Sequence, residues 1–231
     1  MARILLLAAG GLARETASSI AGTGDHEVVG MLDDFPALHG HVVAGASVLG
    51  GIDLAAERSE LLLVCAGNGQ IRRGIVHRLR MLGVGPERYA GHVSRSASVG
   101  VGCSLGPGHI VLPGCVLTCD VTIGAHVVLM PRVVLTHDNH LGDYATLAAG
   151  VVLGGGTRIG AAAYLGMNAS VRQDLEIGDG AVLGMGAVLL QDQPANCTWA
   201  GNPARPIHRS TADISTQKVP MTVPSERGQN Q

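Results

Sequence analysis

The chain has 231 residues, a formal charge of −2, and 46% hydrophobic but only 2% aromatic residues. A near-neutral chain with no basic cluster has no electrostatic grip on nucleic acid or anionic membrane, and an interior this poor in rings must be filled by Leu, Val, Ile and Ala in a narrow, regular space. The five cysteines (Cys65, Cys103, Cys115, Cys119, Cys197) form no C-x-x-C pair, which fits reduced thiols and a cytoplasmic protein better than a metal or disulfide set.

Residues 1–86 alternate apolar runs with helical patterns. Ile4–Ala8 is short and leads at once into Gly-Gly and a helical stretch, so it reads as a buried strand and not as a signal segment. The helix-like Ala13–Ile20, the strand-like Val28–Leu32 and Leu61–Cys65, and the helix-like Ile71–Leu82 follow, which predicts a small open parallel α/β unit. Gly10 and Gly11 lie in the first strand-to-helix turn, where main-chain N–H groups can cradle a phosphate, and Asp33 and Asp34 end the second strand, where they can accept from ribose or base. As a dinucleotide fingerprint the turn is imperfect, because Ala8 and Ala13 occupy two of the three glycine places. Gly67 opens a second turn of the same kind; a plain change of chain direction remains an equal reading of both.

Residues 87–209 are dominated by a repeat. From Val93 through Val99, Leu105 and Val111 to Leu183 and Leu189, every sixth residue is aliphatic; Gly often follows it, and a small residue often stands two before it. The residues two before, one before and at the aliphatic position alternate in, out and in, and the next three turn a corner. Three sides of six residues close one coil, so the segment predicts a triangular parallel β-helix of a little over five coils. Residues 210–231 are polar, contain prolines and show no period, which predicts a flexible tail.

A solenoid packed with aliphatic side chains leaves chemistry only to its outer faces and corners. His137 stands two after Leu135, at a corner, with Cys119 and Gly155 stacked one coil away on either side. The missing side chain at Gly155 predicts open space beside the imidazole. Histidine titrates near neutrality and can take a proton from an attacking amine or hydroxyl. Asp138 can orient the ring if the corner lets adjacent side chains meet, and N–H groups at a Gly-rich corner can stabilise an oxyanion. The alternative is that His137, Asp138 and His140 are simply solvated.

Together, the Gly-Gly-x-x-Arg-Glu turn, Leu32-Asp33-Asp34, Val48-Leu49-Gly50-Gly51, Gly67-Asn68 with Ile71-Arg72, His137-Asp138 before Leu141-Gly142-Asp143, and Ala200–Arg205 resemble the NeuD/PglD-type sialic-acid and bacillosamine acetyltransferases, over residues 3–207. The resemblance implies a Rossmann-like domain followed by a left-handed β-helix of the hexapeptide-repeat acyltransferases, in a homotrimer that holds acetyl-CoA between two prisms and uses no metal. It implies that His137 is the general base toward a nucleotide-linked amino sugar and Asp138 its orienting acid. Thr146, Gly155, Met167 and Met185 then contact acetyl-CoA, while Gly10, Gly11, Leu12, Asp33, Asp34 and Gly67 contact the nucleotide. The chain differs from the family in four places: Leu12 replaces a histidine of the first turn, Met130 an asparagine, Thr146 a histidine, and Asn139 a small or apolar inward residue. Transfer to a hydroxyl or a non-nucleotide acceptor keeps the same chemistry. A non-catalytic nucleotide-binding scaffold is the reading from another class, and a nicotinamide oxidoreductase finds no second catalytic domain.

Overall fold

The computed structural model describes residues 1–207, so the tail expected over 210–231 lies outside the described residues. The first domain carries strands β1 (Ala2–Leu7), β2 (His26–Leu32), β3 (Val42–Val43), β4 (Ala46–Gly50) and β5 (Leu61–Val64), with helices α1 (Gly11–Thr23) and α2 (Gly69–Met81). The sheet order is β3-β4-β2-β1-β5, parallel except for the β3–β4 hairpin. Ile4 to Leu7 are fully buried, as a central strand covered on both faces requires. The sequence pattern anticipates β1, β2, β5 and both helices but not the hairpin. Its turn places Ala44 and Gly45 at φ 46° and 81°, and Ala-Gly is a far weaker hairpin signal than Asn-Gly.

β2 and β5 flank β1 on opposite sides, so the chain changes winding direction between β1 and β5. Ligands of open α/β sheets lie at that switch point, outside the carboxyl ends of the strands. Here those ends lead into Ala8–Gly11 and Cys65–Asn68.

The second domain is a left-handed parallel β-helix. Two-residue strands recur from His92–Val93 to Val188–Leu189 and stack into three sheets with no slip in register, as in Val116↔Val134↔Val152. Residues such as Val133 and Leu135 point into one continuous aliphatic core, which Trp199 closes below. The third residue of nearly every corner has positive φ, among them Asp120, Asp138, Asn168 and Asp174 near +57°, where Asn, Asp and Gly carry the least penalty.

The outward position, which the core leaves free, differs from face to face. A polar face presents Ser104, Thr122, His140, Arg158 and Glu176 to solvent. A valine face presents Val116, Val134 and Val152 between Ser98 and Ser170, with Val188 beyond Ser170. On the third, docking face His92, Ile110, Val128 and Thr146 are fully buried, because the first domain packs on them through Leu12, Ala13, Leu63 and Cys65.

Arg72 locks this junction. Its buried guanidinium donates to the carbonyls of Ala66, Gly67, His126, Tyr144 and Ala145 and to Thr146 Oγ1, at 2.7–3.1 Å. Burial lowers its pKa to about 10, so it stays charged at neutral pH. Thr146 in turn donates to the Gly67 carbonyl at 3.0 Å. Gly69 is required beside it, since a Cβ there would meet the Tyr144 carbonyl oxygen at 2.2 Å.

Candidate active site

His137 and Asp138 occupy the ridge between the valine and polar faces. Asp138 has φ 60°, and this left-handed turn swings its carboxylate back so that Oδ2 lies 2.7 Å from His137 Nδ1. A proton on Nδ1 is thereby held by the carboxylate, which leaves Nε2 as the proton acceptor. Both side chains are exposed, at 63% and 62%.

Gly155 lies one coil below, and here the structure corrects the expected open space: the imidazole itself fills it. A Cβ on Gly155 would stand 2.4 Å from both Cε1 and Nε2 of His137. The glycine is needed because any side chain there would displace the imidazole. Main-chain bonds lock the stack, from Asp138 N to the Cys119 carbonyl and from Gly156 N to the His137 carbonyl.

In the first domain, Gly10 and Gly11 sit at the switch point with N–H groups that precede the first helical bond, Arg14 N to the Gly10 carbonyl. Gly67 stands across the crevice, its carbonyl held by Arg72 and Thr146. Asp33 accepts from Ala9 N through Oδ2 and from Phe35 N through Oδ1, so it shapes the turn and offers a ligand only its remaining lone pairs. Two expectations change. Asp34 is paired with Arg78 and accepts from Ile52 N, and the hydrogen bond from Arg78 holds its carboxyl below the usual range; it braces α2. Leu12 is packed into the junction beside Leu112 and Val128, so no side chain reaches the crevice from that position.

Of the residues expected at the cofactor, Met167 and Met185 are exposed, at 48% and 71%, on the ridge between the docking and valine faces. Thr146 is not available: it is fully buried on the docking face and belongs to the Arg72 lock. Helical phase could have exposed that lock, since Arg72, Ile75 and Leu79 share the buried stripe of α2 while Arg73 points out.

Sequence reasoning also missed a groove of about 820 Å³ between α1 and the same ridge, walled by Gly11, Arg14, Ser18, Ser94, Pro113 and Pro131. Among the described residues no cluster of His, Cys, Asp or Glu could hold a metal ion, and no helix is long and apolar enough to cross a membrane.

Residues 3–79 match the PglD N-terminal domain family. The chain is similar to the acetyltransferase domain of PglB from Neisseria gonorrhoeae FA1090, with a TM-score of 0.82 and 29% identity over 90% of this chain and 100% of that one. It is also similar to PerB from Caulobacter crescentus, solved in complex with CoA and GDP-perosamine, with a TM-score of 0.81 and 26% identity over 90% and 98%. WeeI from Acinetobacter baumannii AYE shares the fold, at a TM-score of 0.64 and 22% identity over 90% and 100%. No curated protein sequence matches the chain. With an α/β domain of the PglD type over residues 3–79, joined to a β-helix that follows two acetyltransferases along nearly their whole length, this chain is an acetyltransferase similar to those of the NeuD/PglD type.

Proposed function

We propose that the chain, a cytoplasmic enzyme, transfers acetyl from acetyl-CoA to the amino group of a nucleotide-linked amino sugar, with His137 as general base. The observation that carries this reading is the His137–Asp138 pair, oriented at 2.7 Å on a solvent-facing ridge over a glycine. The amine nitrogen attacks the thioester carbonyl and forms the C–N bond, and its proton passes to His137 Nε2. The tetrahedral intermediate then collapses, the C–S bond breaks, and the imidazolium returns the proton to the leaving thiolate.

The geometry calls for a second copy. His137 and Pro131 stand at opposite edges of the valine face, six residues apart and thus roughly 15–20 Å. One copy cannot bring its imidazole to its own groove. Rotation about an axis parallel to the prism preserves height, so in a homotrimer the His137 ridge of one copy meets the Pro131 ridge of the next. The apolar outward column of Val116, Val134, Val152 and Val188 then faces the axis. The groove along α1 and the crevice at Gly10, Gly11, Asp33 and Gly67 take the acceptor. Met167 and Met185, lower on the same ridge, and Gly155 under the partner copy's imidazole take acetyl-CoA, with no metal.

The test is turnover of acetyl-CoA with a panel of GDP-, UDP- and dTDP-linked amino sugars, read by mass spectrometry, for the parent chain and His137→Ala. The variant should lose about 10²–10⁴-fold in kcat while CoA still binds. A Caulobacter perosamine N-acetyltransferase with one histidine changed to alanine was solved with both CoA and GDP-perosamine in place. Near parental turnover in His137→Ala would remove the histidine from its role. Absence of CoA binding in calorimetry would favour a non-catalytic scaffold.

A further inference from the structure

The core of the β-helix is aliphatic at almost every inward position, and two adjacent coils break that rule at the same column. Asn139 and Thr157 are both fully buried there, between Val121 above and Leu175 below. Asn139 Nδ2 donates to the Gly154 carbonyl at 2.8 Å, and Thr157 Oγ1 donates to the same oxygen at 2.7 Å. Among the described residues Asn139 Oδ1 has no partner, so the pair satisfies the Gly154 carbonyl while leaving one buried acceptor of its own unmet.

What the pair holds is the peptide beside His137. On the other two ridges several first corner carbonyls accept from the N–H three residues on, as Gly142 does from Ala145 and Gly166 from Ala169. On the His137 ridge Thr118, Thr136, Gly154 and Arg172 all lack that bond among the described residues, and only Gly154 has buried side-chain donors on its carbonyl from two coils. Among the described residues no main-chain donor reaches the Gly154 carbonyl; the two side chains take that place. The peptide is trans and planar, so a carbonyl drawn inward turns the next N–H outward. That next N–H belongs to Gly155, the residue on which the imidazole rests.

We infer that Asn139 and Thr157 are positioning residues for acyl transfer: from inside the prism they fix the Gly154–Gly155 peptide so that the Gly155 N–H faces outward beside His137 Nε2, where it donates to the thioester oxygen. This rests on the acetyl-transfer reading above. As the amine attacks, negative charge builds on that oxygen, and an N–H already aimed at it stabilises the transition state without reorganisation. The buried asparagine and threonine therefore serve rate from within the core.

The experiment compares the parent chain with Asn139→Leu, Thr157→Val, the double variant and Thr157→Ser. We expect the double variant, which leaves the Gly154 carbonyl without a donor, to stay folded with a modestly lower melting temperature and to bind CoA within about twofold of the parent. Its kcat should fall on the order of 30- to 100-fold with both KM values little changed, and Thr157→Ser should retain most of the rate. Independently of any acceptor, the infrared carbonyl band of bound acetyl-CoA labelled with carbon-13 should be shifted to lower frequency in the parent and return toward its free position in the double variant. A loss of folded protein at the assay temperature that accounts for the fall in rate, an unchanged kcat, or the same bound carbonyl band in both proteins would overturn the assignment. If CoA binds and the variants behave as the parent, only this inference is lost; if the parent binds no CoA, the acetyl-transfer reading falls and takes it along.

Discussion

The docking face and the valine face of the prism carry similar apolar residues at the same hexad position, yet their fates differ. Ile110 and Val128 are wholly covered by the first domain, whereas Val116 and Val152 remain 36% and 41% exposed. Inward positions of the repeat decide whether a prism forms; the outward position decides what the prism touches. One face is covered within the described residues, and the other is left partly open to solvent.

The sharpest way to break this contrast is a charge on the valine face. Val152→Asp should abolish assembly and, because base and groove lie on different ridges, nearly all turnover; Thr122→Asp on the polar face should change neither. Sedimentation and an acetyl-transfer assay on the same samples check this. A monomeric Val152→Asp with parental turnover would show that one copy holds a complete site.

On the docking face the expected effects are smaller and appear as stability. His126 is 4% exposed, edge-on to Tyr89 and stacked on Tyr144, and burial, with help from the Arg72 charge, lowers its pKa to about 4. Above pH 6.5 the imidazole is neutral in folded and unfolded chains alike. Between 6.5 and about 4 the unfolded chain takes up a proton that the folded one refuses, so stability falls, by on the order of 3 kcal/mol from this group, and below about 4 it contributes no further loss. His126→Phe, which keeps the ring contacts, should flatten that part of the profile in denaturant titrations. An equally steep profile in the variant would assign the loss to other groups.

The smallest effect is expected at Thr146→Val. It removes a donor to the Gly67 carbonyl and an acceptor for Arg72 at a junction that keeps other bonds, so about 1 kcal/mol should be lost, with serine restoring it. Thermal denaturation of the three proteins measures this. Loss of CoA affinity in the valine variant, with the fold intact, would instead return Thr146 to the cofactor.

The residues that were legible in the sequence are those governed by the period. The hexads announce the prism, its corners and the ridge that bears His137, because each coil repeats the same local geometry. Positions whose role depends on distant segments were not legible. Thr146 occupies an outward register, and only the arrival of Arg72 from α2 makes it interior; Leu12 lies in a turn that suggests a ligand until Leu112 and Val128 close over it. Asp138 required a left-handed backbone that no strand pattern announces. Asn139 was visible as an exception to the inward rule, but its meaning lies in a carbonyl 15 residues away.

The unslipped ladder also makes the prism a ruler. Each coil adds one strand spacing of about 4.8 Å along the axis, and successive coils are offset by 18 residues. An in-phase insertion of one coil between Gly155 and Met185 would leave every inward contact type intact and carry Met185 one graduation farther from His137. The height that separates Met185 from His137 along the prism is thus written in the number of repeats.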